Sequence, residues 1–266
     1  LPFNDFWSRD FGPITIMADG RPELLDFTFN GWGSKYAATL DDQVTRRLHV
    51  EGAFGHCPLR TVDMVLEGGS LDTDGQGTLM TTSHCLLSPK RNAGMTRNQV
   101  ETSLKHHLGC DRVLWLDHGG IQGDDTDSHV DMLARFAGPN TILYSSCPTT
   151  SDWHHGPLKS MQAELEKFRT RTQQPYRLLP LPIPAPIHDR TGRRLAASYA
   201  NFLVINGAVL LPVYGDPNDE VAKQTLAIGF PDREIIPIDC RPLILENGSL
   251  HCVTMQLPAG ALAPAK

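Results

Sequence analysis

The sequence predicts an α/β protein built from repeated β/α modules. Three observations lead to this fold class. Strand and helix signals alternate along the whole chain, hairpin signals recur, and the combination of hairpin and helix returns about every 40–60 residues. A simple doubly wound sheet would alternate strands and helices without the hairpins. A hydrophobic content of 40% with 20% charged residues is typical of a globular protein with a full core.

The first half of the chain supplies four extended segments and two helices. Runs rich in strand-forming residues predict extended segments at 13–18, 24–30, 62–72 and 77–82. A helical stretch is predicted near 41–49, and Asp74-Gly75-Gln76-Gly77 is a hairpin signal between the last two extended segments. Thr96-Arg97-Asn98-Gln99 matches a capping box, and Gly109 stands where the helix behind it would end.

The second half repeats the same signals. The apolar residues from Leu158 to Phe168 follow the spacing of an amphipathic helix. Asn206-Gly207 between two apolar runs is the strongest hairpin signal of the chain, and a helix near 219–229 precedes a strand at 234–238. The proline-rich stretch 175–190 must be extended or looped, and its leucines favour a buried connection between modules over a disordered linker.

Bulk composition excludes several classes of protein. The net charge is −6 and the sequence contains no cluster of Lys and Arg, so nucleic acid is not expected as a partner. No apolar run is long enough to span a bilayer, and no leader peptide is visible. The six cysteines lack CxxC spacing, which favours reduced thiols and therefore a cytoplasmic location.

A His/Asp pair in the middle of the chain is the first candidate for chemistry. If Ser128–Phe136 forms a strand, His129, Asp131 and Arg135 lie on one face and an apolar set lies on the other. Such a strand would present an imidazole and a carboxylate to one cavity. A surface histidine beside a solvated carboxylate explains the same pair about equally well.

Cys252 is the candidate nucleophile. A thiol, an imidazole and carboxylates are the groups that a cysteine enzyme needs to attack a planar cation such as a guanidinium. His251 is adjacent to the thiol, but neighbours on a strand point to opposite faces, so His251 is not expected to be the proton shuttle. Taken alone, a buried and inert Cys252 is the more common outcome for a single cysteine.

Two further carboxylates and a tryptophan are candidates for a binding site. Trp7 and Asp10 stand close to the beginning of the chain, where Asp10 could equally be a turn residue paired with Arg9. Glu67 follows an apolar run and precedes two glycines, which allow a ligand or backbone to approach closely. The spacings of His, Asp and Cys match no zinc template, so neither a metal nor another cofactor is expected.

Taken in order, seven segments resemble the agmatine deiminase and Porphyromonas-type peptidylarginine deiminase family of the guanidine-modifying superfamily. The matching segments are FWSRDFGP (6–13), FNGWGSKY (29–36), LEGGSLDTDGQGTLMTT (66–82), SPKRN (88–92), GDDTDSHVDMLARF (123–136), SYANFLVINGAVLLPVYGDPNDE (198–220) and NGSLHCVTMQLP (247–258). The resemblance covers nearly the whole chain. It implies the pentein fold, a five-bladed α/β propeller of ββαβ modules, as one catalytic domain over residues 1–266. Part of the first module would then be missing from this sequence.

The resemblance also implies a reaction scheme. Cys252 matches the nucleophile and His129 the general acid/base, while Asp10 and Asp131 match the carboxylates that bind the guanidinium. The thiolate would attack the central carbon, ammonia would leave with a proton from His129, and water would release a ureido product through the same imidazole. No metal takes part in this scheme.

Four more residues match positions around the substrate. Trp7 matches a residue that lines the guanidinium pocket, and Asn201 matches an active-site asparagine of the peptidyl branch. Glu67 and Asp125 match residues near the substrate tail in agmatine deiminases. The expected substrate is therefore a small cationic guanidine, with agmatine favoured because the acidic cluster at 124–127 suits an amine tail.

Several departures and alternatives remain. Agmatine deiminases usually carry a glycine triplet where this chain has Asn247-Gly248-Ser249. This difference leaves the nucleophile and the guanidinium-binding carboxylates intact and bears on which substrate tail is bound. Free or peptidyl arginine is an alternative substrate, for which Arg135 could bind a carboxylate. An amidinotransferase and a non-catalytic guanidine-binding protein are more distant alternatives. A homodimer is also compatible with the sequence.

Overall fold

The computed structural model describes residues 1–263. The chain divides into two compact units, each assembled from separate stretches of sequence. The first unit contains Leu1–Gly69, Leu86–Gly109 and residues 252–263, and the second contains Ser70–Cys85 and Cys110–His251. Each unit is described by itself below.

Short strands and helices alternate through the described residues. The helices are α1 (Ser8–Phe11), α2 (Gly31–Ser34), α3 (Val44–Val50), α4 (Ser83–Leu86), α5 (Arg97–Leu108), α6 (His155–Leu165), α7 (Asn218–Gly229) and α8 (Arg241–Ile244). The strands are β1 (Ile14–Ala18), β2 (Arg21–Thr28), β3 (Leu59–Val65), β4 (Asp72–Thr73), β5 (Thr78–Thr82), β6 (Arg112–Leu116), β7 (Ala134–Phe136), β8 (Thr141–Ser146), β9 (Arg177–Pro182), β10 (Leu203–Ile205), β11 (Ala208–Val213) and β12 (Glu234–Asp239).

One topology is repeated in four three-stranded sheets of the described chain. The first two strands of each sheet form an antiparallel hairpin, and the third strand pairs in parallel with the second. A parallel pair needs a crossover connection, and a helix lies between the second and third strands of every sheet in chain order. The sheet β1-β2-β3 belongs to the first unit, and the other three belong to the second. The predicted α/β fold of repeated ββαβ modules is confirmed.

Local signals explain why several elements begin and end where they do. The capping box of α5 is present: the Thr96 hydroxyl accepts from the Gln99 backbone N–H, and the Gln99 side chain accepts from the Thr96 N–H at 2.8 Å. The helix ends at Gly109, whose left-handed φ of 66° a side chain would disfavour. Asn206-Gly207 joins β10 to β11 as predicted, with Gly207 at a φ of 78°.

Each unit has its own apolar core. In the second unit, the core gathers around Leu143, Phe202 and Val209, and Ala222 and Leu226 of α7 are fully buried in it. A smaller cluster in the first unit consists of Leu24, Phe54, Cys57 and Ala261. None of the helices within 1–263 is long and apolar enough to cross a bilayer.

The predicted strand over 128–136 is wrong. Val130–Met132 forms a 3-10 turn, and only Ala134–Phe136 is a strand. Asp127 and Ser128 adopt left-handed φ values of 66° and 65°, which no strand accommodates. The extended run predicted at 62–72 is likewise divided, because Gly68–Ser70 forms a 3-10 turn between β3 and β4.

Candidate active site

Cys252 lies in a segment of the first unit that is held by the helix α1. The backbone N–H of Arg9 donates to the Cys252 carbonyl at 3.1 Å, and the Ser8 hydroxyl donates to the Val253 carbonyl at 3.0 Å. The buried Arg9 guanidinium donates to Gln256 at 2.8 Å. Through these contacts Arg9 fixes the chain around the thiol.

Asp10 is buried and receives two hydrogen bonds within the first unit. The indole Nε1–H of Trp32 donates to Oδ2 at 2.9 Å, and the backbone N–H of Gly69 donates to Oδ1 at 3.0 Å. Donors on both oxygens fix the plane of the carboxylate. A carboxylate held in one plane is prepared for the two parallel hydrogen bonds that a guanidinium makes.

The donor Trp32 lies in α2, a left-handed turn with an unusual backbone. All four residues from Gly31 to Ser34 have positive φ, at 68°, 55°, 79° and 63°. The turn is closed by hydrogen bonds from Ser34 N to Asn30 O and from Lys35 N to Gly31 O, both 2.9 Å. A left-handed conformation costs roughly 1–2 kcal/mol for a residue with a side chain. Gly31 is required, because a Cβ there would lie 2.3 Å from the Tyr36 carbonyl oxygen.

Glu67 forms a fully buried ion pair with Arg91 in the first unit. The Arg91 Nε–H lies 2.9 Å from Oε1 and 2.8 Å from Oε2, and neither side chain is exposed. The following residue, Gly68, is required by close packing: a Cβ at this position would lie 2.2 Å from the Arg9 carbonyl oxygen. The sequence reasoning named Glu67 but missed Arg91, although Arg91 belongs to the SPKRN segment that carries the family resemblance.

In the second unit, the side chain of Asp124 shapes the loop before His129. Its Oδ1 accepts from the Thr126 N–H at 3.0 Å, and its Oδ2 accepts from the Ser128 N–H at 2.9 Å. The His129 N–H donates to the Thr126 hydroxyl at 3.2 Å. These side-chain contacts replace strand pairing, which is the physical reason that the predicted strand is wrong. The His129 side chain is nevertheless buried, and Asp131 two residues later is fully buried.

Asp131 is hydrogen-bonded to the histidine that precedes Cys252 in sequence. Nδ1 of His251 lies 2.7 Å from the Asp131 Oδ2. On the other side of the ring, Nη2 of Arg135 lies 3.2 Å from the His251 Nε2. Arg135 itself is buried, with its Nε–H donating to Asp72 at 2.8 Å and its Nη1 donating to the Phe202 carbonyl at 3.0 Å.

The remaining predicted residues of the second unit are also engaged. Oδ1 of the fully buried Asn201 accepts from the His251 backbone N–H at 2.9 Å. The half-buried Asp125 accepts from the Asn247 side-chain amide at 3.1 Å, and Asn247 has a left-handed φ of 72°. Asn247 stands where agmatine deiminases usually carry a glycine. It is in direct contact with Asp125, the residue predicted to lie near the substrate tail.

The eight residues named from the sequence thus divide evenly between the units. Trp7, Asp10, Glu67 and Cys252 belong to the first unit, and Asp125, His129, Asp131 and Asn201 belong to the second. Seven of them are buried and Asp125 is half-buried. In the second unit, Asp131 and Asn201 are linked through His251. The interpretation of His129 as a surface residue is wrong, since its side chain is buried, and Asp10 is buried within the single turn of α1.

Three other cysteines are poor nucleophiles. Burial raises the pKa of the Cys57 and Cys147 thiols and raises that of Cys240 to about 11. A thiol attacks as the thiolate, and a raised pKa keeps these three protonated at neutral pH. They are therefore unsuited to covalent catalysis, and Cys252 remains the candidate supported by its sequence context.

Comparison with known proteins places this arrangement in a family. The family model for Porphyromonas-type peptidyl-arginine deiminase matches residues 1–258. The agmatine deiminase of Stutzerimonas stutzeri is 35% identical over 281 residues, which cover 96% of this chain and 75% of that protein.

Solved structures agree with this family. A Porphyromonas gingivalis structure described as a candidate arginine deiminase has 52% identity and a TM-score of 0.96, covering 99% of this chain and 78% of its own. A Cys-to-Ser variant of the C. jejuni agmatine deiminase with substrate bound has 44% identity and a TM-score of 0.87, covering 93% and 72%. The fold class is that of the pentein deiminases, and these relatives are hydrolases of C–N bonds. The chain belongs to the Porphyromonas-type peptidyl-arginine deiminase family.

Proposed function

We propose that this protein hydrolyses agmatine to N-carbamoylputrescine and ammonia. The proposal is supported by the agmatine deiminases among its relatives, one of them solved with substrate bound. The strongest structural support for this proposal comes from the two carboxylates. Asp10 and Asp131 are both buried, and each receives a hydrogen bond from a ring N–H donor, Trp32 or His251. Buried carboxylates with fixed orientation are suited to a desolvated, planar cation.

The proposed reaction assigns one step to each catalytic residue. Cys252 attacks the central guanidinium carbon as the thiolate, and Asp10 and Asp131 bind the guanidinium nitrogens. His129 gives its proton to the departing nitrogen, the C–N bond breaks, and ammonia leaves a thiouronium on the sulfur. Water then adds to the same carbon while His129 accepts its proton, and the C–S bond breaks to release the ureido product and the thiol.

The tail of the substrate is proposed to interact with Asp125. Asp125 is half-buried in the second unit, its Oδ2 accepts from the Asn247 side-chain amide, and a carboxylate attracts an amine by charge. Glu67 is fully buried, and its charge is balanced by Arg91. We therefore expect Glu67 to shape the pocket and Asp125 to attract the amine. Trp7 and Asn201 stay predicted substrate-binding residues. Trp7 is expected to lie beside the guanidinium group.

Free or peptidyl arginine is the second candidate substrate, because the family also includes peptidyl-arginine deiminases. A carboxylate-bearing substrate needs a cation, and Arg135 was the candidate in the sequence. Arg135 is 4% exposed and its guanidinium is bonded to Asp72, to His251 and to backbone carbonyls. These contacts argue against a role in binding a substrate carboxylate, and so favour agmatine.

The experiment is a measurement of ammonia release from agmatine, free arginine and a blocked arginine ester. We expect turnover of agmatine to exceed that of both arginine compounds, and Cys252→Ala to abolish turnover while binding is retained. Cys240→Ala, which removes a buried thiol with a raised pKa, is the matched control for loss of a cysteine. Preference for either arginine compound would refute the agmatine assignment, and an active Cys252→Ala variant would refute covalent catalysis.

Location and assembly remain part of the proposal. A cytoplasmic location is supported by the cysteine pattern of the sequence. A homodimer is the assembly expected from the sequence, and the measurement that decides it is light scattering across a range of protein concentrations.

A further inference from the structure

We infer that His251 is a positioning residue that holds the Asp131 carboxylate in the orientation required for guanidinium binding. The inference rests on the proposed function for its kinetic consequences. Its structural basis lies wholly within the second unit, in a buried chain of contacts from Asp131 through His251 and Arg135 to Asp72.

The contacts of the ring decide which nitrogen of His251 carries the proton. A guanidinium can only donate, so Nε2, which lies 3.2 Å from the Arg135 Nη2, must accept. In the neutral ring the proton is then on Nδ1, and it donates to the Asp131 Oδ2 at 2.7 Å. A second proton on Nε2 would face the guanidinium of Arg135 with like charge. His251 is therefore arranged to donate to Asp131 and not to exchange protons.

Arg135 can impose this tautomer because it has little freedom to move. Its Nε–H donates to the Asp72 Oδ1 at 2.8 Å, and its Nη1 donates to the carbonyls of Ala200 and Phe202 at 3.3 and 3.0 Å. The guanidinium carbon lies 4.8 Å from the centre of the Phe202 ring, within the range of a cation–π contact. The second Asp72 oxygen accepts from the Phe136 N–H at 2.6 Å, which fixes the carboxylate in turn.

The main chain of His251 is held as firmly as its ring. Its N–H lies 2.9 Å from the Asn201 side-chain oxygen and 3.2 Å from the Asn201 carbonyl oxygen. Both residues are buried. Ring and backbone are thus fixed by different partners, so the direction of the Nδ1–H toward Asp131 is determined. This assigns Asn201 a part in placing His251, in addition to its predicted part in binding substrate.

The test compares three substitutions at His251 with respect to agmatine turnover. Asn places an amide N–H close to the position of Nδ1, Gln places it close to Nε2, and Ala provides none. We expect His251→Ala to lower kcat/KM about ten- to a hundredfold, mainly through KM, because a hydrogen bond to a charged group is lost. His251→Asn should recover most of this loss and His251→Gln should not. His118→Asn, at an exposed histidine of the same unit, should leave kinetics unchanged.

The pH profile separates positioning from proton transfer. We expect both limbs of the kcat/KM profile to be the same in His251→Asn as in the unchanged protein, because His251 does not titrate in the reaction. Loss of one limb together with inactivity of His251→Asn would identify His251 as a proton shuttle and overturn the inference. An unchanged KM in His251→Ala would overturn it as well.

Nitrogen NMR of histidine-labelled protein provides a readout that needs neither activity nor a variant. We expect the His251 signals of a neutral ring with the proton on Nδ1 from about pH 6 to about pH 8. A ring protonated on Nε2 refutes the inference even if every kinetic variant fails to fold. If the unchanged protein releases no ammonia from agmatine, the proposed function fails, and the NMR result still decides the tautomer that the inference requires.

Discussion

At the scale of single residues, the structure shows how carboxylates can be buried without losing their orientation. Asp10 receives N–H donors on both oxygens, and Asp131 receives one from a histidine whose tautomer is set by an arginine. Such contacts fix the plane of the carboxylate. The sequence identified both carboxylates, but neither donor, because Trp32 is 22 residues from Asp10 and His251 is 120 residues from Asp131.

Removal of the indole N–H tests the role assigned to Trp32. Trp32→Phe keeps a smaller aromatic ring at this buried position and loses the hydrogen bond to the Asp10 Oδ2. We expect KM for agmatine to rise about tenfold with a smaller change in kcat, since a hydrogen bond to a carboxylate that binds the cation is removed. Steady-state kinetics measures this effect, and Trp153→Phe at an exposed tryptophan is the control. An unchanged KM would show that the indole does not orient Asp10.

The buried ion pair of Glu67 and Arg91 is expected to affect the free energy of unfolding. Arg91→Met removes the partner of a fully buried carboxylate, so we expect the free energy of unfolding to fall by about 3–5 kcal/mol. The double variant with Glu67→Gln should recover part of this loss, because no buried charge is then left alone. Urea unfolding provides the measurement. Arg241→Met at an exposed pair with Asp239 should have no measurable effect, and an equally stable Arg91→Met would contradict the account.

At the scale of elements, helices and hairpins that depend on local sequence signals could be predicted. Loops whose backbone is fixed by side-chain hydrogen bonds could not. The capping box of α5 and the Asn206-Gly207 hairpin depend on residues within a few positions, and both predictions are confirmed. The strand predicted over 128–136 is wrong because Asp124 captures backbone donors that a strand would use. The left-handed turn α2 is beyond local rules, since Trp32 has no intrinsic preference for positive φ. The indole contact with Asp10 accompanies this conformation.

His154, the residue before α6, is expected to make the free energy of unfolding depend on pH. The backbone N–H of Gln122 donates to Nε2 of His154, so Nδ1 carries the proton and donates to Asp152 at 2.6 Å. Burial lowers the pKa of His154, against the effect of Asp152, and the charge of Arg194 lowers it further. The stability contributed by the neutral ring is fully present above the ordinary histidine pKa of about 6.5 and is lost as the pH falls below it.

We therefore expect the free energy of unfolding to decrease between about pH 7.5 and about pH 5.5, by at most about 1.4 kcal/mol per pH unit for this one proton. His154→Gln retains an acceptor for the Gln122 N–H and cannot take up the proton, so its stability should change less over this range. Urea unfolding at several pH values measures the slope. His84→Gln at an exposed histidine is the control, and equal slopes for all three proteins would refute the assignment.

At the scale of the whole molecule, the family could be predicted from the sequence. The hydrogen bonds between residues far apart along the chain could not. Seven motifs in order along the chain indicated a pentein deiminase, and the family match over residues 1–258 confirms it. The repeated ββαβ topology of four sheets agrees with that prediction. The contact between Arg9 and Gln256 joins residues 247 positions apart, and no local pattern reveals such a pair. The expectation of one catalytic domain over 1–266 stays a prediction.

The central claim is that Cys252 forms a covalent bond to the guanidinium carbon of the substrate. Mass spectrometry of protein quenched in acid during turnover of agmatine tests this claim most directly. We expect the peptide that contains Cys252 to gain the mass of agmatine minus ammonia, and the adduct to be absent from Cys252→Ser. Rapid turnover without any adduct, retained by Cys252→Ser, would contradict the account.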